Sequence, residues 1–241
     1  MIIAIEGNIG AGKSELIAHL QTSLGKAHES IDFFPEPLDV WGETLQMYAV
    51  NKRKWASILA LDVLRGLGDV KASTKRHQIV ERTPYACRYV FTEIDKHDGH
   101  IKKEELDVID QYFELYGWKP DVVLHLAVEE GVCCDRIESR GRPGEERVSY
   151  EHVKAIGYYY DKMYQAHFPD QPVIRCVQSQ SETMAAYHAR LTYLVLRAIE
   201  NDDQKHRLND DQRSEHFHNV HQPPGFHGNV GQNRLDNPVQ R

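Results

Sequence analysis

Gly7-Asn8-Ile9-Gly10-Ala11-Gly12-Lys13-Ser14 is the stretch on which the rest of the chain turns. It fits the pattern G-x-x-x-x-G-K-[ST] and follows the short apolar run Ile2-Ile3-Ala4-Ile5. Such a loop needs a buried strand to deliver it and a helix to leave it, with the first N–H groups of that helix aimed at phosphate oxygens. Glu15-Leu16-Ile17-Ala18-His19-Leu20 supplies the helix, because Leu16, Ile17 and Leu20 share one face. The glycines allow close backbone approach to phosphate without Cβ clashes. In this arrangement Lys13 meets the β- and γ-phosphates and Ser14 ligates Mg²⁺. The expectation is a nucleoside triphosphate site spanning residues 7–14.

Composition narrows the partners. A chain of 241 residues with 41% hydrophobic content can bury the core of one α/β domain. Its formal net charge of −7 implies no general basic surface and hence no nucleic-acid partner. Cys87, Cys133, Cys134 and Cys176 show no C-x-x-C spacing, so reduced thiols are expected. The first strand begins at Ile2, leaving no room for a signal peptide, and no apolar run approaches membrane-spanning length. A cytoplasmic location and no membrane partner are expected.

Further along, apolar strand candidates near 2–6, 30–34, 78–81, 121–127 and 172–177 alternate with helical patterns. That alternation predicts an α/β fold with a parallel, five-stranded sheet flanked by helices. Helices are expected over roughly 13–24, 41–68, 84–97, 103–116, 129–139, 149–166 and 181–200. The charged, glycine-containing segment Arg140–Arg147 has the character of a lid. The folded domain is expected to span 1–200. The stretch 201–241, rich in Asn, Asp, Gln and His, is expected to be a disordered tail, because it has too few apolar groups to offset chain entropy. Its histidines (His206, His216, His218, His221, His227) lack the spacing of a structural zinc site.

Phosphoryl transfer to an alcohol requires a carboxylate to take the proton and cations over the transferring group. Two acidic residues stand where apolar strands end, the edge at which open α/β sheets build their sites. They are Glu36, within Pro35-Glu36-Pro37, and Glu81, followed directly by Arg82. The flanking prolines fix the direction of the Glu36 carboxylate. Arg136 and Arg140, four residues apart, stack on one helix face, with Arg142 just beyond.

These residues resemble, in order over about 1–200, the deoxyribonucleoside kinase family, which includes deoxycytidine, deoxyguanosine and mitochondrial-type thymidine kinases with their insect and viral relatives. The segment Ile5–Ser14 is similar to that family's phosphate loop nearly letter for letter. Glu36-Pro37 with Trp41, Glu81-Arg82-Thr83, Arg88-Tyr89-Val90-Phe91, and Arg136–Glu145 follow at the family's spacing. The resemblance implies ATP as donor, a deoxynucleoside acceptor and a homodimer. It implies Glu36 as general base on the 5′-hydroxyl, Arg82 on that hydroxyl and the phosphoryl group, and Glu81 with Ser14 on Mg²⁺. Tyr48 and Glu145 would bind the 3′-hydroxyl, Trp41 and Phe91 would sandwich the base, and Arg136, Arg140 and Arg142 would close over the phosphates.

Some positions depart from the family pattern. Counted from Trp55, Ala60 stands where the family has a base-pairing glutamine. Cys87 and Leu67 stand where deoxycytidine kinases carry an aspartate and an arginine, and Val63 is of similar character. Such a pocket suits the thymine methyl, with a purine or broad preference as the alternative. A nucleoside monophosphate kinase, whose acceptor needs no general base, is the nearest enzymatic rival. A nucleotide-binding switch of the GTPase type is the non-metabolic rival; it rests on Asp39-Val40-Trp41-Gly42, a match to D-x-x-G, and lacks an N-K-x-D signal, since Asn51-Lys52-Arg53-Lys54 has no aspartate.

Overall fold

The computed structural model describes residues 1–25, 29–146, 148–179 and 181–220, the last of these as backbone only from residue 210. Five strands form one parallel sheet: β1 (Ile2–Gly7), β2 (Ile31–Phe34), β3 (His77–Glu81), β4 (Val122–Ala127) and β5 (Val173–Val177). Their order is β2-β3-β1-β4-β5. All pairings are parallel, with Ala4 opposite Val80 on one side and Val123 on the other. The chain leaves β1, builds one flank of the sheet, then returns to build the other. The crevice at the carboxyl end of β1 is therefore the switch point where such sheets bind ligands. The expected five-stranded α/β fold is the one observed, and no strand boundary differs from expectation by more than a residue.

Period-two alternation along β1 sorts the core. Ile3 and Ile5 pack with Leu16, Ile17 and Leu20 of α1 (Lys13–Leu24) and with Leu191 and Val195. Ala4, between them, faces Val90, Ile94, Ile156 and Tyr160 on the other side. By the same alternation Glu6 points into the second layer, where it is fully buried.

The single helix expected over 41–68 is two helices. α2 (Leu38–Val50) starts directly behind Pro37, and α3 (Lys52–Leu67) follows after one residue. Asn51 adopts non-helical backbone angles, and its side chain accepts a 3.1 Å hydrogen bond from the Lys54 amide. An asparagine that can satisfy an orphan helix donor makes the break cheap, which periodicity alone does not register. The expected helix over 84–97 is composite. α4 (Pro84–Ala86) passes through a π-helical turn (Cys87–Phe91) into α5 (Thr92–His97). The remaining helices are α6 (Lys103–Tyr116), α7 (Glu130–Arg140), α8 (Tyr150–His167) and α9 (Met184–Val220).

The chain divides into two units, Met1–Glu200 and Asn201–Arg241. α9 nevertheless continues past residue 201 to Val220, where no regular structure was expected. Its apolar stripe of Tyr187, Leu191, Val195 and Ile199 ends inside the first unit. Beyond it the sequence is polar but holds no glycine or proline up to Val220, so no residue type there breaks the helix. Residues 221–241, including His221 and His227, lie outside the described residues, as does Arg147. Among the described residues no helix is long and apolar enough to cross a membrane.

Replacing Asn51 with Ala is expected to destabilise the fold by about 1 kcal/mol through loss of the cap. Denaturant unfolding checks this: an unchanged midpoint would mean that the α2–α3 break does not depend on the cap.

Candidate active site

The phosphate loop joins β1 to α1 with Gly10 at φ 77° and Gly12 at φ 91°. A Cβ on Gly10 would lie 2.5 Å from the Cys133 carbonyl oxygen, so both conformation and space exclude a side chain. Gly7, Asn8 and Ala11 shape the loop from behind. Asn8 Nδ2 donates to the Val153 carbonyl at 2.7 Å, and its Oδ1 accepts from the Ile9 amide at 2.9 Å. Lys13 Nζ donates to the Asn8 carbonyl at 2.8 Å. Burial, helped by Arg82 and opposed by Glu81, Glu36 and Glu6, pushes the Lys13 ammonium down to about 8. A phosphate anion beside Nζ would oppose that depression.

Two loop ends meet over this base. Ser14 Oγ donates to Glu81 Oε1 at 2.8 Å, while Glu81 Oε2 accepts from the Glu36 amide at 3.3 Å. Glu36 Oε1 accepts from Arg82 Nε at 3.0 Å. Burial alone would raise the Glu36 carboxyl, but Arg82, Lys13 and Arg142 outweigh it and hold it below the ordinary value. The pair is ionised, and Arg82 is itself raised by Glu36 and neighbouring groups despite its burial.

Arg82 has φ 68°, the one non-glycine residue in the left-handed region among the described residues. Such a conformation persists where its surroundings over-determine it. Here Arg82 Nη1 donates to the Tyr160 hydroxyl at 3.1 Å, and that hydroxyl donates to Glu6 Oε2 at 2.6 Å. Glu6 Oε1 accepts from the Thr83 amide at 2.8 Å and the Thr83 hydroxyl at 2.7 Å. Full burial raises the Glu6 carboxyl even against Arg82, Tyr160 and Thr83. The guanidinium also lies 4.6 Å over the Phe91 ring.

A cavity of about 510 Å³ opens from the loop toward α2, α3 and α5. Ile9, Gly10, Gly12, Lys13 and Ser14 line its phosphate end, with Glu36, Glu81 and Arg82 beside them. Trp41, Tyr48 and Phe91 line the body, and Arg136, Arg140, Arg142 and Glu145 the rim. Arg136 Nη1 donates to the Gly10 carbonyl at 3.4 Å. Arg140 and Arg142 donate to opposite oxygens of Glu145 at 2.5 and 3.2 Å. Tyr48 and Glu145 thus line one cavity, and the Tyr48 hydroxyl donates to Asp95 Oδ1 at 2.8 Å.

Ala60, Val63 and Cys87 line the cavity as expected, but Leu67 does not. Leu67 is buried at the end of α3, where Trp118 Nε1 donates to its carbonyl at 2.7 Å. Counting residues from Trp55 placed it one turn too far along α3 to reach the cavity. Burial pushes the Cys87 thiol up to about 12, and Sγ donates to the Ala60 carbonyl at 3.5 Å. Sequence reasoning missed Glu6, Tyr160 and Asp95. Glu6 had a signal, a lone charge closing an apolar strand, whereas Tyr160 stands in a run of tyrosines with nothing to single it out.

The profile of the family described as Deoxynucleoside kinase matches residues 3–213. The chain belongs to the deoxynucleoside kinase family. The kinase is similar to the putative kinase protein 029R of Invertebrate iridescent virus 3, 28% identical over 66% of this chain and 80% of the relative. It is 27% identical to deoxycytidine kinase 2 of Gallus gallus over 66% of this chain and 72% of that protein. Among solved structures, deoxyadenosine kinase from M. mycoides with products dCMP and dCDP superposes with a TM-score of 0.68 at 20% identity, covering 83% of this chain and all of the other. That likeness is one of fold. The kinase is thus an ATP-dependent phosphotransferase with an alcohol acceptor.

The depressed Lys13 carries a stability consequence with a definite sign. Its folded value of about 8 lies below the ordinary lysine value of 10.5, so the unfolded chain holds this proton more tightly. The buried ammonium therefore destabilises the ligand-free fold below about pH 8, and the penalty fades as pH rises toward the unfolded value. Lys13→Met is expected to stabilise the ligand-free kinase at pH 7 by roughly 1–3 kcal/mol, less the lost bond to Asn8, while abolishing phosphate binding. Thermal unfolding at pH 7 and 9.5 checks both points. A variant less stable than the parent at pH 7 would reverse the argument.

Proposed function

We propose that this kinase transfers the γ-phosphate of ATP to the 5′-hydroxyl of a pyrimidine deoxynucleoside, thymidine above deoxycytidine, as a step of nucleotide salvage. The observation that carries the reading is the part-buried Glu36–Arg82 pair at 3.0 Å beside the phosphate loop. A phosphate acceptor would need no such carboxylate, which favours an alcohol over a nucleoside monophosphate. Glu36 accepts the hydroxyl proton as the O5′–Pγ bond forms and the bond from Pγ to the bridging β,γ-oxygen breaks. Arg82, held by Glu36 on one side and Tyr160 on the other, steadies the hydroxyl and the transferring group.

Lys13 and the first amides of α1 hold the β- and γ-phosphates, with Arg136, Arg140 and Arg142 closing from the rim. Ser14 Oγ and the Glu81 carboxylate, two hard oxygen donors 2.8 Å apart, are a donor set that fits Mg²⁺, which would supply charge neutralisation at the β- and γ-oxygens. Trp41 and Phe91 flank the base, and Tyr48 stands on the sugar side, crowding C2′.

Ala60, Val63 and Cys87 support the base preference. An apolar wall gains roughly 1 kcal/mol on burying the thymine methyl, while a cytosine amino group buried there without an acceptor loses about 1–3 kcal/mol. The same small side chains leave room for a purine, which is the second reading. Steady-state rates for thymidine, deoxycytidine, deoxyadenosine and deoxyguanosine with ATP and Mg²⁺ decide between them. The expected order places thymidine first in kcat/KM, and a higher value for either purine would overturn the base assignment while leaving the kinase intact.

Glu36→Gln keeps size and most hydrogen bonding but removes the base. Its kcat is expected to fall by roughly 10²–10⁴ with ATP affinity little changed. Near-parental turnover would end the assignment.

A further inference from the structure

The Tyr160 hydroxyl stands where three parts of the site meet. It accepts from Arg82 Nη1 at 3.1 Å, donates to Glu6 Oε2 at 2.6 Å, and lies 3.3 Å from the carbonyl oxygen of Gly7, which opens the phosphate loop. Its single proton goes to Glu6, which leaves its lone pairs to the guanidinium. The ring is 1% exposed and packs in the second core layer with Ala4, Val90 and Ile156. Tyr164 stacks on it with ring centres 5.8 Å apart, and His125 meets it edge-on at 5.0 Å. A ring packed this closely on every side has one position, so its hydroxyl is a fixed post and not an adaptable contact.

The helix that carries Tyr160 is tied to the phosphate loop a second time. Asn8 Nδ2 donates to the Val153 carbonyl at 2.7 Å, seven residues before Tyr160 in α8 and roughly 10 Å from it along the axis. One rigid helix therefore holds the loop at Asn8 and the guanidinium at Tyr160. Glu6 adds a hold on the backbone, because the Thr83 amide and hydroxyl that it accepts follow Arg82 directly. The other side of the guanidinium rests on Glu36, a cavity residue whose bonds must change when it takes a substrate proton. Tyr160 does not line the cavity, so its hold on Arg82 outlasts that change.

We propose that Tyr160 is a positioning residue for phosphoryl transfer, whose hydroxyl, fixed by α8 and oriented by Glu6, registers the Arg82 guanidinium against the phosphate loop. The proposal rests on the reading of Arg82 as the group that steadies the acceptor hydroxyl and the transferring phosphoryl. A group that acts on charge developing during transfer shows its misplacement in the maximal rate and not in substrate affinity. A displacement of about 1 Å is enough to cost on the order of 10²-fold.

The test compares the parent, Tyr160→Phe, Arg82→Met and the double variant, using ATP, Mg²⁺ and whichever of the four deoxynucleosides the parent turns over fastest. Tyr160→Phe keeps the ring and its packing. Maximal rates come from single-turnover mixing and are divided by the ATP-binding sites that titration counts in each preparation, so misfolded protein does not enter. Arg82→Met is expected to lower the maximal rate by at least about 10². Tyr160→Phe is expected to lower it by about 10–10², with half-saturating ATP and deoxynucleoside concentrations within about threefold of the parent's. Once Arg82 is replaced, removing the hydroxyl is expected to change the rate by less than about twofold, because the group through which it acts is gone. A parental rate in Tyr160→Phe, a loss carried by substrate affinity, or an equal fold-loss in both backgrounds overturns the assignment while the kinase reading stands. A parental rate in Arg82→Met overturns the reading of Arg82 and the assignment with it.

Discussion

The buried chain Glu6–Tyr160–Arg82–Glu36 governs the rest of this structure. Each link is short: 2.6 Å from Tyr160 to Glu6, 3.1 Å from Arg82 to Tyr160, and 3.0 Å from Arg82 to Glu36. Glu6 and the Arg82 guanidinium are buried, Glu36 is part-buried at the cavity wall, and each charge tolerates its desolvation only because the next one is in place. The chain ties together the end of β1, the β3–α4 turn, the loop after β2 and the middle of α8. Arg82 accepts a left-handed backbone for its part in this. An isolated residue in that conformation costs on the order of 1–3 kcal/mol, and strain of that size persists where several partners agree on the same position.

Electrostatics and packing divide the labour at the sheet edge. Alternate residues of β1 sort into two apolar layers, and the alternation that buries Ala4 delivers Glu6 to the second one. The hydroxyl of Thr83 then serves two masters. It donates to Glu6 and accepts from the Ala86 amide at 3.2 Å, capping α4. A serine there would offer the same hydroxyl to both partners.

Most of the fold was legible because its signals are local. Short apolar runs gave all five strands, and the loop 7–14 could be read from its letters alone. What escaped was set by single side chains or by distance. The break at Asn51 depends on one cap, and the length of α9 on the absence of any breaker rather than the presence of an apolar stripe. In the site, Glu36, Glu81 and Arg82 could be found because a charge ending a strand is conspicuous. Asp95 could not, since its partners Tyr48 and His100 lie on other elements, and Leu67 was misplaced because a count along a helix does not say which way it faces.

The shared hold of Arg140 and Arg142 on Glu145 has a thermodynamic corollary. One carboxylate offsets only one of the two positive charges, so an arriving polyphosphate gains less than the full attraction of two free guanidinium groups but more than a bare exchange of anions. On the proposed assignment of these arginines to the polyphosphate, that exchange would free Glu145, which lines the same cavity, and so link the two substrate subsites through one side chain. By reciprocity, whatever the polyphosphate does to the affinity of the acceptor, the acceptor does in equal measure to that of the polyphosphate.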